Sequence, residues 1–138
     1  MIIDGSNLVL GRLAAFAAKT SLGGEPVVII NCENVVITGR KKFLVSTFIE
    51  KQHKGHPFHG PFYPKIPDRI VKRTIRGMLP YKLERGSKAF KRIKCFMGVP
   101  MEYQNQKFET VKGAEASKLK TLNFITVNDL AKALTKGV

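Results

Sequence analysis

The run Val27-Val28-Ile29-Ile30 constrains the fold more than any other segment of this chain. Four consecutive β-branched residues favour a strand. Their continuity, without polar alternation, is the pattern of a strand buried on both faces, as in a parallel sheet covered by helices. The flanking sequence supplies such cover. Ile2-Ile3 begins a short apolar run, and Asp4-Gly5-Ser6-Asn7 reads as a turn. Gly11 to Leu22 is rich in Ala and Leu and reads as a helix, with Arg12 and Lys19 on one face and a stop at Gly23-Gly24. Val35-Val36-Ile37 is a second β-like run that ends at Thr38-Gly39. Arg40 to Gln52 follows as a helix, with Leu44, Val45, Phe48 and Ile49 at helical spacing.

Asp68 to Leu79 is the clearest helix. Pro67 suits its first position and Asp68 the positive end of its dipole, and Pro80 stops it. Ile70, Val71, Ile75 and Met78 fall on one side of the helical wheel, whereas Arg69, Lys72, Arg73 and Arg76 fall on the other. Gly86 to Arg92 reads as a short helix and Ile93 to Met97 as a strand. Residues 98–125 read as a surface extension, with 121–125 extended. Residues 126–136 read as a C-terminal helix, introduced by the capping-box form Thr126-Val-Asn-Asp129 and ended by Lys136 and Gly137. Strands alternating with helices predict a single α/β domain over residues 1–138, built on a mainly parallel sheet.

The 138 residues are 43% hydrophobic, enough for a core and unlike the composition of disorder. No apolar run approaches the ~20 residues of a membrane span. Met-Ile-Ile-Asp lacks the features of a signal peptide, so an intracellular protein is expected. Cys32 and Cys95 form no CxxC or zinc spacing and read as small buried side chains.

Charge is distributed unevenly. Of the formal net +14, the stretch from Arg40 to Lys94 holds sixteen Lys or Arg against three acids, a local balance of +13, while the other positions together carry +1. A solubility surface mixes signs, whereas a polyanion-binding surface concentrates one. Within this stretch, residues 53–67 form a Pro-rich basic loop with four prolines, three histidines, Phe58, Phe62, Tyr63 and no acid. Loop aromatics can stack on unpaired bases while Arg and Lys neutralise phosphates. The candidate contacts are Arg12, Arg40, Lys41, Lys42, His53, Lys54, His56, His59, Lys65, Arg69, Lys72, Arg73, Arg76, Lys82, Arg85, Lys88, Lys91 and Arg92. The four cations of helix 68–79 and the Arg40–Lys42 triplet are the main ones.

Other chemistries fit poorly. Gly5 and Gly11 are one residue too far apart for a Walker loop, Arg12 stands for its Lys, and Leu13 for its hydroxyl. The start of that helix could still meet an RNA phosphate. His53, His56 and His59 lie three apart, but among Gly and Pro, beside Lys54 and with no carboxylate near, so no metal is expected. No paired carboxylates, Gly-x-Ser-x-Gly elbow or Cys-His arrangement marks a catalytic site, and no cofactor is expected. A free-standing basic RNA- or DNA-binding regulator is the alternative from another class, although no helix-turn-helix or zinc finger is evident.

Gly11-Arg-Leu-Ala-Ala-Phe-Ala-Ala-Lys19, Ile37-Thr38-Gly39, Gly60-Pro61, Arg73-Thr-Ile-Arg-Gly-Met-Leu-Pro80, Arg85-Gly86, Ala89-Phe90-Lys91-Arg92-Ile93-Lys94 and Gly98-Val-Pro100 together resemble the signature segments of the large-ribosomal-subunit protein L-thirteen family, in its archaeal and eukaryotic-type branch. The resemblance covers most of residues 1–100 and is less distinct over 101–138. It implies a three-layer α/β/α domain around a four-stranded parallel sheet with basic loop extensions. It also implies a non-catalytic cytoplasmic constituent of the large subunit that binds large-subunit rRNA, joins early in assembly, and touches neighbouring ribosomal proteins, with no membrane and no small-molecule substrate.

Overall fold

A computed structural model describes residues 1–136. The order is β1 (Ile2–Asp4), α1 (Leu10–Leu22), β2 (Val27–Ile30), β3 (Val36–Thr38), α2 (Lys41–His53), α3 (Pro67–Gly77), α4 (Glu84–Lys91), β4 (Ile93–Cys95), β5 (Phe124–Thr126) and α5 (Val127–Lys136). Single 3₁₀ turns occur at Cys32–Asn34, Met101–Tyr103 and Ala116–Lys118. The protein is α/β with a mostly parallel main sheet, as the apolar runs require.

β2 is the centre of that sheet, in the order β1-β2-β4, and both pairings are parallel. Val27, Ile29 and Ile30 are fully buried. The main sheet has three paired strands rather than four. At its β1 edge, Ile3 makes a single parallel bridge to Glu109, with Asp4 N donating to Glu109 O at 3.1 Å and Glu109 N to Ile2 O at 2.8 Å. β3 instead pairs antiparallel with β5 in a separate two-stranded sheet.

Residues 98–125 lie mostly at the surface, but ahead of β5 two buried side chains anchor them. Val111 and Ala114 are buried, Val9 N donates to Ala114 O at 2.7 Å, and Ala116 N donates to Asn7 O at 2.7 Å. Gly98 N donates to both carboxylate oxygens of Glu33 at 3.0 and 3.1 Å. The sequence shows no periodicity here because isolated anchors, not a repeating face, hold the segment. Thr126 caps α5 as its motif predicts, accepting from Asp129 N at 3.2 Å. Gly137, expected to end that helix, lies outside the described residues.

The helices bury one stripe each. α1 buries Leu10, Leu13, Ala14, Ala17, Ala18 and Ser21, the i, i+3, i+4 spacing of one face. It packs on α3 and α4. α3 buries Ile70, Val71 and Ile75, but Met78 does not join them: it is 44% exposed, and Leu79, at 4%, takes the inward place. The cause is a tightened last turn, in which Met78 N donates to Ile75 O and Leu79 N to Arg76 O. Such i→i−3 bonds advance the chain by about 120° per residue rather than 100°, which turns Leu79 towards the core. α2 buries no residue completely; Leu44, Val45, Phe48 and Ile49 are half-buried against the core, and the helix packs on α5.

Two polar details hold the sheet's end. Partial burial pushes the Asp4 carboxyl up, but Asn31 Nδ2 and Ser6 N, both donating to its Oδ1 at 3.0 Å, outweigh that and hold it below the ordinary carboxylate range. The neighbouring Cys95 thiol and burial push the Cys32 thiol up, and its Sγ donates to Ile29 O at 3.6 Å, so it stays protonated and inert.

Gly86 is buried within α4, and a Cβ there would strike the Pro80 carbonyl. Backbone cannot yield as a side chain can, so Gly86→Ala is expected to destabilise the fold by about 1–3 kcal/mol, measured by urea unfolding. Asp4 adds a pH dependence. Its folded pKa lies below the reference value of 3.8. Its stabilisation is therefore fully present above the unfolded pKa and lost as pH falls through the folded one. Asp4→Asn is expected to flatten the acid limb of the stability profile below about pH 4 and to leave the neutral region's slope unchanged.

Candidate nucleic-acid interface

The basic stretch builds its surface from three elements. Arg40 precedes α2, and Lys41 and Lys42 open it, all exposed. No acid lies in that first turn and no side chain caps it. Three cations at the positive end of a helix dipole oppose it, by about 0.3–1 kcal/mol each at low ionic strength. An anion bound there reverses the sign of that interaction.

α3 carries the second group. Its buried apolar stripe turns the opposite stripe outward. Arg69 is exposed, but the other three cations are half-buried because each is seated on an aromatic ring. Lys72 Nζ lies 4.9 Å from the Phe90 ring centre on α4, Arg73 Cζ 4.2 Å from that of Tyr63, and Arg76 Cζ 4.7 Å from that of Tyr81. From α2, Lys51 Nζ lies 5.1 Å from the Phe48 ring centre. Seats of this kind contribute roughly 0.5–1 kcal/mol when exposed and restrict where a long cationic side chain can point. The rings and cations of Lys51, Arg73 and Arg76 line one open cleft of about 380 Å³ between α2, α3 and the loops beside them.

The 54–66 loop is the third element. His56 N donates to Gly60 O at 2.9 Å and Gly60 N to His56 O at 2.8 Å, closing a tight turn. Gly55, at φ +95°, is the residue this turn requires, since a Cβ there would meet the Gly60 carbonyl and Pro61. His56 packs against both Phe58 and His59. All three histidines are exposed, and Phe58 is 84% exposed. Among the described residues no His, Cys, Asp or Glu cluster has the arrangement of a metal site.

Not every candidate cation is free. Arg12 Nη1 donates to Gly113 O at 2.8 Å, and Arg92 Nη1 donates to Ser21 O at 3.0 Å, satisfying a carbonyl near the end of α1. Lys54 pairs with Glu50 at 3.5 Å and Lys88 with Glu84 at 2.7 Å. Both pairs are exposed neighbours on the chain and add little stability. The other fourteen cations of residues 40–94 have no carboxylate in salt-bridge range among the described residues. Arg85, Lys88 and Arg92 gather beside Gly23-Gly24. Lys65 sits with Lys132 and Lys136 of α5, two cations that local charge density could not reveal because they enter from the far end of the chain. Lys82 and Lys91 are exposed and join neither cluster. Lys51, Tyr63 and Tyr81 are further members of the surface that charge density does not single out, although the flanking of Arg73-x-x-Arg76 by aromatic loop ends is a signal for them.

The turn before α1 is not a phosphate loop. Gly5 N donates to Ile30 O at 2.9 Å, Asn7 N to Asn34 O at 3.3 Å and Val9 N to Ala114 O at 2.7 Å. Ser6 N is taken by Asp4. The amides that would cradle a phosphate are used internally, beside a carboxylate that would repel it.

The sequence matches the family model for Ribosomal protein L13 over residues 1–102. The chain belongs to that family. It is 45% identical over 136 residues to the large ribosomal subunit protein uL13 of Methanococcoides burtonii, covering 96% of each chain. It is 43% identical over 135 residues to that of Methanopyrus kandleri, covering 96% of this chain and 85% of the relative. It is also 43% identical over 137 residues to that of Methanocaldococcus jannaschii, covering 96% of each. The relationship thus runs well past residue 100, where the motifs end, and all three relatives are archaeal. The L13 family is a structural, non-enzymatic constituent of the large ribosomal subunit.

The surroundings of the cations separate two roles. Arg92→Ala removes a charged hydrogen bond to the Ser21 carbonyl and is expected to cost about 1.5–3 kcal/mol. Arg69→Ala, at an exposed side chain with no salt-bridge partner among the described residues, is expected to stay within about 0.5 kcal/mol of the parent. Chemical denaturation of both variants checks the division.

Proposed function

We propose that this L13-family chain binds large-subunit rRNA as a cytoplasmic structural constituent of the ribosome, and that it supports early assembly of the subunit. The observation that carries this reading is the set of fourteen cations of residues 40–94 that have no carboxylate partner among the described residues, most of them on α2, α3 and α4. Such a surface neutralises phosphates without needing to recognise sequence. Arg40, Lys41, Lys42, Arg69, Lys72, Arg73 and Arg76 are the principal phosphate contacts. The 54–66 loop, with exposed His and Phe side chains, reaches unpaired bases and becomes fully ordered on RNA. The 98–125 segment, where Met101 and Leu122 are almost fully exposed, meets neighbouring ribosomal proteins.

An interface of ~6–10 phosphate contacts loses ~10³–10⁵ in affinity between 50 and 200 mM salt. Charge reversal at Arg73 or Arg69 is expected to weaken binding to an rRNA fragment with little loss of folding. It should also reduce the slope of log K against log[salt] by about one for each phosphate that is no longer neutralised. Unchanged binding at moderate salt removes that helix face from the interface. Sedimentation of lysate at low and high salt checks the wider assignment: the protein is expected with the large subunit under both conditions, and a free pool alone overturns it.

A further inference from the structure

The cleft between α2 and α3 differs from the rest of the basic surface. Elsewhere most of the cations stand exposed; half-buried Lys72 lies over Phe90 outside the cleft, and half-buried Arg92 donates to the Ser21 carbonyl. Here three of them, Lys51, Arg73 and Arg76, are half-buried, and each lies over a ring, Phe48, Tyr63 and Tyr81 respectively. The rings restrict the cations before any ligand arrives. Neither guanidinium donates to a protein acceptor among the described residues, so their N–H groups remain available. A duplex backbone needs exposed charge and no ring. A walled recess of about 380 Å³ with aromatic faces, guanidinium planes and free cationic donors suits a flat π system joined to a phosphate.

We propose that this cleft receives one unpaired nucleotide of an RNA strand. Its base stacks on the aromatic and guanidinium surfaces, and its phosphate accepts from Arg73 and Arg76. The inference rests on the RNA-binding reading above and adds a single-nucleotide site to it. Arg73 and Arg76 then have two roles, as phosphate donors and as stacking platforms, whereas exposed Arg69 has only the first.

The test uses the full chain and three RNA probes at fixed salt: a short single strand, the same strand with abasic riboses, and the duplex it forms with its complement. The intact strand is expected to bind about ten- to a hundred-fold more tightly than the abasic strand, the range of one stacked base. Tyr63→Ala and Tyr81→Ala are expected to remove that preference, so that each variant binds the intact and abasic strands alike. Tyr63→Phe and Tyr81→Phe, which keep the rings, are expected to retain it. Equal binding of intact and abasic strands to the wild-type protein overturns the stacked base without recourse to any variant. Salt-dependent binding that persists in that case leaves the RNA-binding reading standing, whereas no binding to any probe overturns both. Adenosine monophosphate that binds as tightly as the strand overturns the strand as the source of the nucleotide.

Discussion

Everything on the charged side of this molecule depends on the burial of one apolar stripe. Ile70, Val71 and Ile75 are at most 3% exposed. They lock α3 against α1 and β4, so the helix cannot rotate about its axis. With rotation fixed, the spacing of Arg69, Lys72, Arg73 and Arg76 determines where four positive charges point. Placing the charges on a loop would let them relax away from one another and from any ligand. On a packed helix they are held, and their mutual repulsion is carried by core burial worth roughly 1.5–3 kcal/mol for each large apolar side chain.

The aromatic seats refine this arrangement. Arg73 and Arg76 lie three residues apart, close enough to repel, and no acid lies within four positions of either in the chain. A carboxylate would hold each guanidinium firmly but would also occupy its donors. Tyr63 and Tyr81 attract the cation through the ring face and leave the N–H groups for another acceptor. The rings come from chain segments on either side of α3, so the loop before the helix and the turn after it are part of the charged surface rather than connections between elements.

The sequence made the fold legible wherever a pattern repeats. Val27–Ile30 identified the central strand, the Ala- and Leu-rich run 11–22 identified α1, and the two sides of the helical wheel over 68–79 identified α3. It was less legible where a structure turns on one residue. Met78 occupies a core position on an ideal wheel, and only a tightened last turn, which depends on the backbone rather than on side-chain pattern, replaces it with Leu79. β3 reads like another strand of the main sheet, yet it pairs with β5, almost ninety residues later in the chain. The same limit applies to the site. Charge density located α2 and α3, but it could not distinguish Arg69 from Arg92, because the Ser21 carbonyl that holds Arg92 is seventy-one residues away. Nor could it place Lys132 and Lys136 beside Lys65.

The imbalance of charge also bears on stability. A net +13 over fifty-five positions, relieved by two exposed ion pairs, repels itself most when the chain is compact. Helix α2 is the weakest point. It opens with three cations against its dipole and buries no side chain completely, so it gains least from the core and loses most to charge. α3, with Asp68 in its first turn, Arg76 in its last and three buried side chains besides Pro67, is more secure than α2. A polyanion that binds the folded chain stabilises it by mass action and removes the repulsion at the same time. The gain is largest where the isolated protein is weakest. In the rRNA complex proposed above, α2 and the 54–66 loop are the segments that gain most order, while α1, α3 and the parallel sheet are held by their own buried side chains. A scaffold that is secure alone and a surface that is completed by its ligand follow from the same separation of charge along the chain.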